Sequence, residues 1–392
     1  MRIGAPEISV HNGEVTYAVT VNRSTAGQEQ LWYRLSARYR SMVSDRADAA
    51  VVALLIPAMK DGTDIIVDGP VTDELVFNIN NEYQTILRSA IPGLKRVTVH
   101  ASRECPAEPA AEGVATGFSA GVDSYAVLAD HFLNPHVPHS LRLTHLLYNN
   151  VGSHGTGGEA TFQRRLARAK QTAVTLGLEL IAVNSNMDQF YFGRFSFQQT
   201  HTPRNSSVPL LLQSGIGKFL YASTVPFANV GVREAYDLSV CDPISLPVLS
   251  TTAVEMRSSG SQYTRVEKTL RVAEVPESHS SLDVCVSPDG DPNCSVCWKC
   301  MRTELTLDIA GLLHRYSSVF DIPKYQAARH RYIPSILLSR DPLLKEVVAF
   351  AGQRDYKLPT AAYAIAPVLE VLERSKKKAK PPIKRVLRAV KK

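Results

Sequence analysis

The chain has 392 residues, 44% of them hydrophobic, with 44 Lys and Arg against 37 Asp and Glu for a formal charge of +7. That length and apolar content exclude a wholly disordered chain and allow about two or three domains. The positive sign is confined to the end. Residues 375–392 carry nine Lys or Arg and no acid, leaving 35 basic against 37 acidic residues, or −2, before them. Residues 1–374 therefore lack the basic excess that a nucleic-acid surface needs, and the tail reads as a flexible, solvated basic segment. The longest strongly apolar stretch, residues 49–59, is about half the length of a membrane-spanning helix. The first residues carry no apolar signal-peptide core. Six Cys, four of them clustered, suit a cytoplasmic protein with a metal site better than a disulfide scaffold.

In chain order, residues 7–10 and 14–21 read as two strands around His11-Asn12-Gly13, a hairpin signal. Helices are expected over 29–42 and 47–59, then strands near 64–67 and 95–100. Residues 1–110 thus read as an N-terminal α+β accessory domain without a catalytic constellation. From residue 111 the pattern becomes strand–helix alternation, with strands expected at 113–118, 143–148, 178–183 and 227–232. Helices are expected at 124–131, 159–176 and 208–223. In the second of these, Phe162, Leu166, Ala169 and Ala173 share one face, and Gly177 follows as a C-cap. This alternation predicts an α/β fold with a parallel sheet and ligands beyond the C-terminal strand ends. Residues 276–310 form a Cys-rich insertion, and residues 311–374 read as a helical region.

Two motifs carry chemistry. Gly117-Phe118-Ser119-Ala120-Gly121-Val122-Asp123-Ser124 lies between an expected strand and an expected helix. Such a turn aims backbone N–H groups and the positive end of the helix dipole at an anion, which suits phosphates. Ser119 and Ser124 add hydroxyls, and the Asp123 carboxylate can hold magnesium or orient backbone groups. No Gly-Lys-Ser/Thr ending follows, so this is not a Walker A loop. A tight strand–helix turn without a ligand would need the same small residues. The second motif is Cys285, Cys294, Cys297 and Cys300, a C-x8-C-x2-C-x2-C pattern. Thiolates at this spacing chelate a tetrahedral zinc, with an iron–sulfur cluster as the alternative. The turn-forming residues 287–293 can bring Cys285 round to the others.

The glycine turn resembles the SGGxDS signature of the PP-loop ATP pyrophosphatase superfamily, with Ala120 replacing the second glycine. That methyl is expected to require a negative φ. The turn followed by the four-cysteine pattern resembles the QueC-like, 7-cyano-7-deazaguanine synthase-like family. Further agreement comes from Pro203-Arg204-Asn205-Ser206, Gly231-Val232, Cys241-Asp242 and Tyr148. The resemblance covers residues 113–310. It implies a Rossmann-like PP-loop domain, of the adenine nucleotide alpha hydrolase type, over residues 111–310 with a zinc site at 285–300. It implies ATP, magnesium and zinc as cofactors.

Ser119, Asp123 and Ser124 are the expected catalytic residues. Phe118 to Ser124, Tyr148, Arg204 and Asn205 are expected to bind ATP, with Arg204 and Asn205 on a loop before a helix. Asp242 is expected to accept hydrogen bonds from the amino and ring N–H groups of a 7-deazaguanine. The implied reaction adenylates a 7-deazaguanine carboxylate, releases pyrophosphate, and joins the acyl group to an amine with loss of AMP. The extra length on both sides resembles the QueC-like proteins of anti-phage systems such as type IV CBASS and Qat, whose acceptor is a protein N-terminus docked by the flanking regions. Alternatives are 7-cyano-7-deazaguanine synthesis with ammonia, a PP-loop tRNA-modifying enzyme, and a nucleotide sensor without turnover. A homodimer is expected.

Overall fold

The structure is a computed structural model that describes residues 1–23, 27–154, 158–287 and 292–367. The basic tail expected at 375–392 lies outside the described residues. The chain divides into two compact units: Met1–Tyr263 with Glu274–Ser281, and Thr264–Ala273 with the residues from Leu282 onward.

The first unit is built on one mixed, largely parallel sheet. Its strands are β1 (Arg2–Ile3), β2 (Glu7–His11), β3 (Glu14–Arg23), β4 (Gly27–Ser36), β5 (Ile65–Thr72), β6 (Val99–Cys105), β7 (Gly113–Gly117), β8 (His145–Asn150), β9 (Glu179–Ser185), β10 (Ile216–Ala222) and β11 (Glu255–Ser259). The order is β11-β10-β7-β8-β9-β4-β3-β1-β5-β6, with β2 paired to β3. The five strands β11-β10-β7-β8-β9 are mutually parallel. Numbered by their own succession in the chain, they run 5-4-1-2-3, so the order reverses between β7 and β10. Pairing of β4 with β9, through Tyr33 opposite Ser185 and Arg34 opposite Asn184, makes the sheet continuous across residue 110. The accessory region expected at 1–110 therefore shares its sheet with the strands that follow it.

Helices α1 (Asp48–Asp61), α2 (Asp73–Asn78), α3 (Gln84–Ala90), α4 (Val122–Leu128), α5 (Glu159–Leu176), α6 (His201–Leu211), α7 (Asp242–Leu249) and α9 (Ser278–Ser281) belong to this unit. The second unit holds α8 (Arg265–Val272), α10 (Trp298–Ile309), α11 (Ile322–Leu337) and α12 (Pro342–Gln353). The cysteine segment thus clusters with the C-terminal helices instead of with residues 111–263. None of the described helices is long and apolar enough to cross a membrane. α1 is buried all round, and Tyr191 and Tyr33 donate to the carbonyls of Ala53 and Ala49. α5 keeps its apolar face of Phe162, Leu166, Ala169 and Ala173 inward and ends at Gly177 in the left-handed region, as its sequence predicts.

Three expected elements differ. Residues 29–42 contain β4 and a short 3-10 turn (Ala37–Met42), not a helix. Leu31, Leu35 and Tyr39 recur every four residues and are all buried, yet within β4 the buried set is Leu31, Tyr33 and Leu35. That is the period of two that a strand between β3 and β9 demands. The expected helix 208–223 stops at Leu211, and residues from Ile216 form the interior strand β10, between β11 and β7. Here Gly217 decides, because a Cβ there would lie 1.9 Å from the Ala111 carbonyl oxygen. The expected strand 227–232 is a 3-10 turn (Phe227–Asn229) and loop, because β11 takes the sheet position beside β10.

Candidate functional site

The glycine turn lies at the C-terminal end of β7. Phe118 N–H is pinned to the Leu147 carbonyl at 2.8 Å, and Gly121 caps α4 while its carbonyl accepts from Tyr125 at 3.0 Å. α4 runs on into a π turn (Ala129–Leu133), so the helical segment extends past its own seven residues. Between the two anchors Ala120 adopts φ +57°, which overturns the expectation of a negative φ. Connecting a pinned strand end to a cap in three residues requires a left-handed step, and alanine takes it against its own preference. Ala120→Gly is accordingly expected to raise stability by up to about 1 kcal/mol. The same change at a right-handed position costs roughly that much. Urea unfolding midpoints of the two proteins measure it.

Ser119 is exposed at the turn and Asp123 is partly exposed in the first helical turn. Ser124 is buried and its hydroxyl donates to the Gly121 carbonyl at 3.0 Å. Phe118 and Val122 are buried, Phe118 against Tyr125. They can serve a ligand only through their backbone. Tyr148 is buried against Phe162 of α5, with ring centroids 5.4 Å apart. His154 packs on both rings, and burial together with nearby Arg165 pulls its imidazole down to about 4.

Arg204 and Asn205 lie within the first turns of α6, not on the loop expected before it. Arg204 is 1% exposed, donates to Asp188 at 2.8 Å, and stacks on Tyr191 with its guanidinium carbon 4.0 Å from the ring centre. Its charge is already neutralised, and it braces the loop at Gly152, where a Cβ would lie 2.7 Å from Nη1. Asn205 donates to the His201 carbonyl at 2.9 Å and lies 3.4 Å from the Tyr221 hydroxyl and from Asn149 Nδ2.

Around these residues is a buried polar cluster in which the sequence singled out only Asn205 and Asp242. His201 Nδ1 lies 2.6 Å from the Tyr221 hydroxyl, and Nε2 lies 3.0 Å from Asp237 Oδ1. Thr202 donates to Asp242 Oδ1 at 2.6 Å. Asp242 begins α7 and is 1% exposed, yet its Oδ2 has no partner. Burial pushes its carboxyl up to about 6 against the opposing pull of His201 and Thr202. Asn149 Oδ1, Ser206 Oγ, Ser245 Oγ and Tyr83 Oη are likewise buried without a partner. Buried polar atoms are normally satisfied by protein, water or ligand, so these five atoms have hydrogen-bonding capacity left for ordered water or a ligand.

The cluster adjoins the turn. Phe219 of β10 pairs with Ala115 of β7, so two residues on Tyr221 stands level with Gly117. Gly117 in turn pairs with Leu147, two residues before Asn149 of β8. Tyr221 and Asn149 therefore flank the turn from the two neighbouring strands, at the point where strand order reverses. Open α/β sheets bind ligands at that position. In sequence, His201 beside Pro203-Arg204-Asn205 was the one available signal; Tyr221 fell inside an expected helix.

The four-cysteine cluster, a candidate metal centre, is in the second unit. One sulfur from each of Cys285, Cys294, Cys297 and Cys300 lies within 4.8 Å of the others. The Cys285–Cys297 and Cys297–Cys300 sulfur separations are 4.0 and 3.4 Å. Four thiolates about 2.3 Å from one zinc stand about 3.8 Å apart, so the donor set fits a tetrahedral zinc ion. Backbone N–H groups of Ser287 and Cys294 donate to Cys285 sulfur at 3.3 and 3.4 Å, and that of Cys297 donates to Cys294 sulfur at 3.2 Å. Cys297 caps α10 and Cys300 lies in its first turn, where the dipole favours thiolates. The hydrogen bond with Cys300 holds the Cys297 thiol well below its ordinary range. Asn293 bonds to Val284, Leu282 and Val319 and fixes the approach to the knuckle. Residues 288–291 of the expected connecting turn lie outside the described residues.

No protein-family model matches the chain, and no curated protein or solved structure matches it.

Proposed function

We propose that this protein is an ATP-dependent carbon–nitrogen ligase of the QueC-like PP-loop group, which adenylates a 7-deazaguanine carboxylate and passes the acyl group to an amine. The observation that carries this reading is the glycine turn at the strand-order reversal, beside a buried carboxylate oxygen without a partner. The turn suits the phosphates of ATP as co-substrate, and the Rossmann-like order of the five parallel strands suits a nucleotide.

The residues divide the work by chemistry. The turn amides and the Ser119 hydroxyl meet the pyrophosphate where negative charge develops. Asp123 would hold magnesium, which would supply positive charge to neutralise the leaving group. Asp242 accepts from the amino and ring N–H groups of the deazaguanine. A carboxylate complements that two-donor edge, and Oδ2 is free for it. A substrate carboxylate oxygen attacks the α-phosphorus, the bond to the bridging oxygen breaks, and pyrophosphate departs. The amine nitrogen then attacks the acyl carbon, and the carbon–oxygen bond to AMP breaks. Cys285, Cys294, Cys297 and Cys300 would hold zinc with no open coordination position, so the ion would support the fold without entering this chemistry. The acceptor in this reading is a protein N-terminal amine, visible as a mass increase of a co-expressed partner.

Purified protein with ATP, magnesium and 7-carboxy-7-deazaguanine is expected to release pyrophosphate. Asp123→Ala is expected to lower the rate by at least about 10²-fold, the scale of losing an electrostatic contact to developing charge. Equal release by the two proteins, or none by the wild type, would overturn the reading.

A further inference from the structure

Tyr221, His201 and Asp237 form a continuous hydrogen-bonded chain that the adenylation step does not use. Tyr221 is the penultimate residue of β10, level with Gly117, at the wall of the proposed ligand pocket. His201 opens α6 and Asp237 caps the 3-10 turn Leu238–Cys241, so three separate elements hold the chain. The His201 and Tyr221 rings are nearly parallel, with 6° between their planes. Asp237 also accepts from Ser239 N–H at 3.0 Å, which fixes its carboxylate toward the imidazole. The His201 side chain is 12% exposed and that of Asp237 44%, so the chain runs from the pocket wall to solvent.

We propose that Asp237–His201–Tyr221 is a proton relay that deprotonates the attacking amine in the second half-reaction, with Tyr221 the group that meets the amine. This inference rests on the function proposed above. The proton ledger closes without another reactant. As the nitrogen–carbon bond forms, a proton leaves the amine for the Tyr221 oxygen, and the Tyr221 proton moves to His201 Nδ1. Asp237 remains ionised against Nε2–H. The carbon–oxygen bond to AMP breaks, and AMP leaves with its electron pair. The extra proton then passes from the imidazolium to water.

The surroundings suit each member to its part. Burial is the largest influence on His201 and opposes its charging, but the bond to Asp237 and the fields of Asp242 and Asp237 outweigh it and raise its affinity for a proton. Arg204 acts in the opposite sense, Tyr221 is the remaining titratable group against the ring, and Thr202 Oγ1 and the Phe197 ring lie beside it. Burial pushes Asp237 up, but His201 and the Ser239 amide hold it at about 2. Burial, with Asp242, Asp237 and Tyr83 nearby, keeps the Tyr221 phenol protonated well beyond its usual range. Tyr221 therefore conducts a proton between partners and does not store charge. Asn205 Nδ2, 3.4 Å from the same hydroxyl, helps to aim it.

The experiment compares two readouts on full-length protein: ATP–pyrophosphate exchange with 7-carboxy-7-deazaguanine, and amide formation with ammonium as the probe amine. In Tyr221→Phe the ratio of amide formation to exchange is expected to fall by about 10²–10⁴-fold, the usual range for losing proton transfer. Hydroxylamine, a stronger nucleophile that sheds its proton more readily, is expected to restore acyl transfer in that variant. The wild-type amide rate is expected to rise with pH as His201 loses its proton, and His201→Gln is expected to flatten that limb. Asp237→Asn should move the limb to lower pH, because the raising partner is gone. An unchanged ratio in Tyr221→Phe, or no rescue by hydroxylamine, would overturn the relay alone. Absence of exchange in the wild type would overturn the proposed function and the relay together.

Discussion

Cys300→Ser is expected to abolish zinc binding by the four-cysteine cluster and to unfold the second unit around α10, a loss of several kcal/mol. Cys300 is fully buried in the first turn of α10, and its sulfur lies 3.4 Å from that of Cys297. Without a metal, four mutually close thiols are a poor core. Two of them, Cys294 and Cys297, are only partly buried, and their neighbours are loops tied mainly by Asn293. Structural zinc contributes about 10–16 kcal/mol of apparent binding energy in small knuckle peptides at neutral pH, and much of that is folding energy. Even a fraction of it is comparable with the whole stability of a domain. Metal analysis should find one zinc per wild-type chain and far less in the variant, and limited proteolysis should cut the variant first between residues 282 and 320. A colourless protein separates zinc from an iron–sulfur cluster. A metal-free wild type with the same thermal midpoint would contradict the expectation.

Asp242→Asn is expected to stabilise the ligand-free protein at neutral pH while weakening deazaguanine binding by about 10²–10⁴-fold. The two signs follow from one cause. Asp242 holds its proton up to about 6 in the fold against a usual 3.8. The folded state therefore binds more protons between those values, and stability falls as pH rises through that window. Two pH units correspond to about 3 kcal/mol at 1.36 kcal/mol per unit. Asparagine removes that loss, since its Oδ1 can still accept from Thr202, so the variant's stability should be flat between pH 4 and 6 and higher above it. Its amide nitrogen would then face the ligand's own N–H donors. Losing two hydrogen bonds to a charged acceptor, at about 1.5–3 kcal/mol each, gives the stated loss of affinity. Thermal midpoints across pH and calorimetric titration with 7-carboxy-7-deazaguanine measure the two effects. A variant less stable at pH 7 would mean that Asp242 serves the fold and not a ligand.

The cost of that carboxylate also explains how the candidate site is built. Its orphaned oxygen, Asn149 Oδ1 and the hydroxyls of Ser206, Ser245 and Tyr83 have hydrogen-bonding capacity left over, and a bound ligand or ordered water would offset their desolvation. Arg204 shows the contrast. Its positive charge near an expected phosphate site is consumed by Asp188 and the Tyr191 ring, so its contribution is to brace the Gly152 loop.

What the sequence determined by itself was local chemistry. The strand–glycine turn–helix at 113–128, the x2 spacing of Cys294, Cys297 and Cys300, and the apolar face and C-cap of α5 depend on neighbours within a few residues, so their pattern survives reading in one dimension. Tertiary structure decided the rest. Leu31, Leu35 and Tyr39 fit a helix until β3 and β9 offer a strand its hydrogen-bond partners. Residues from Ile216 fit a helix until the approach of Ala111 to Gly217 lets them join the sheet between β7 and β11. Ala120 takes a conformation that its side chain disfavours because both ends of its turn are anchored elsewhere. The relay of Tyr221, His201 and Asp237, and the burial of Asp242, arise where the ends of β10, α6 and α7 converge. Burial and contact across 16 to 40 residues are properties of that convergence, and no local pattern encodes them.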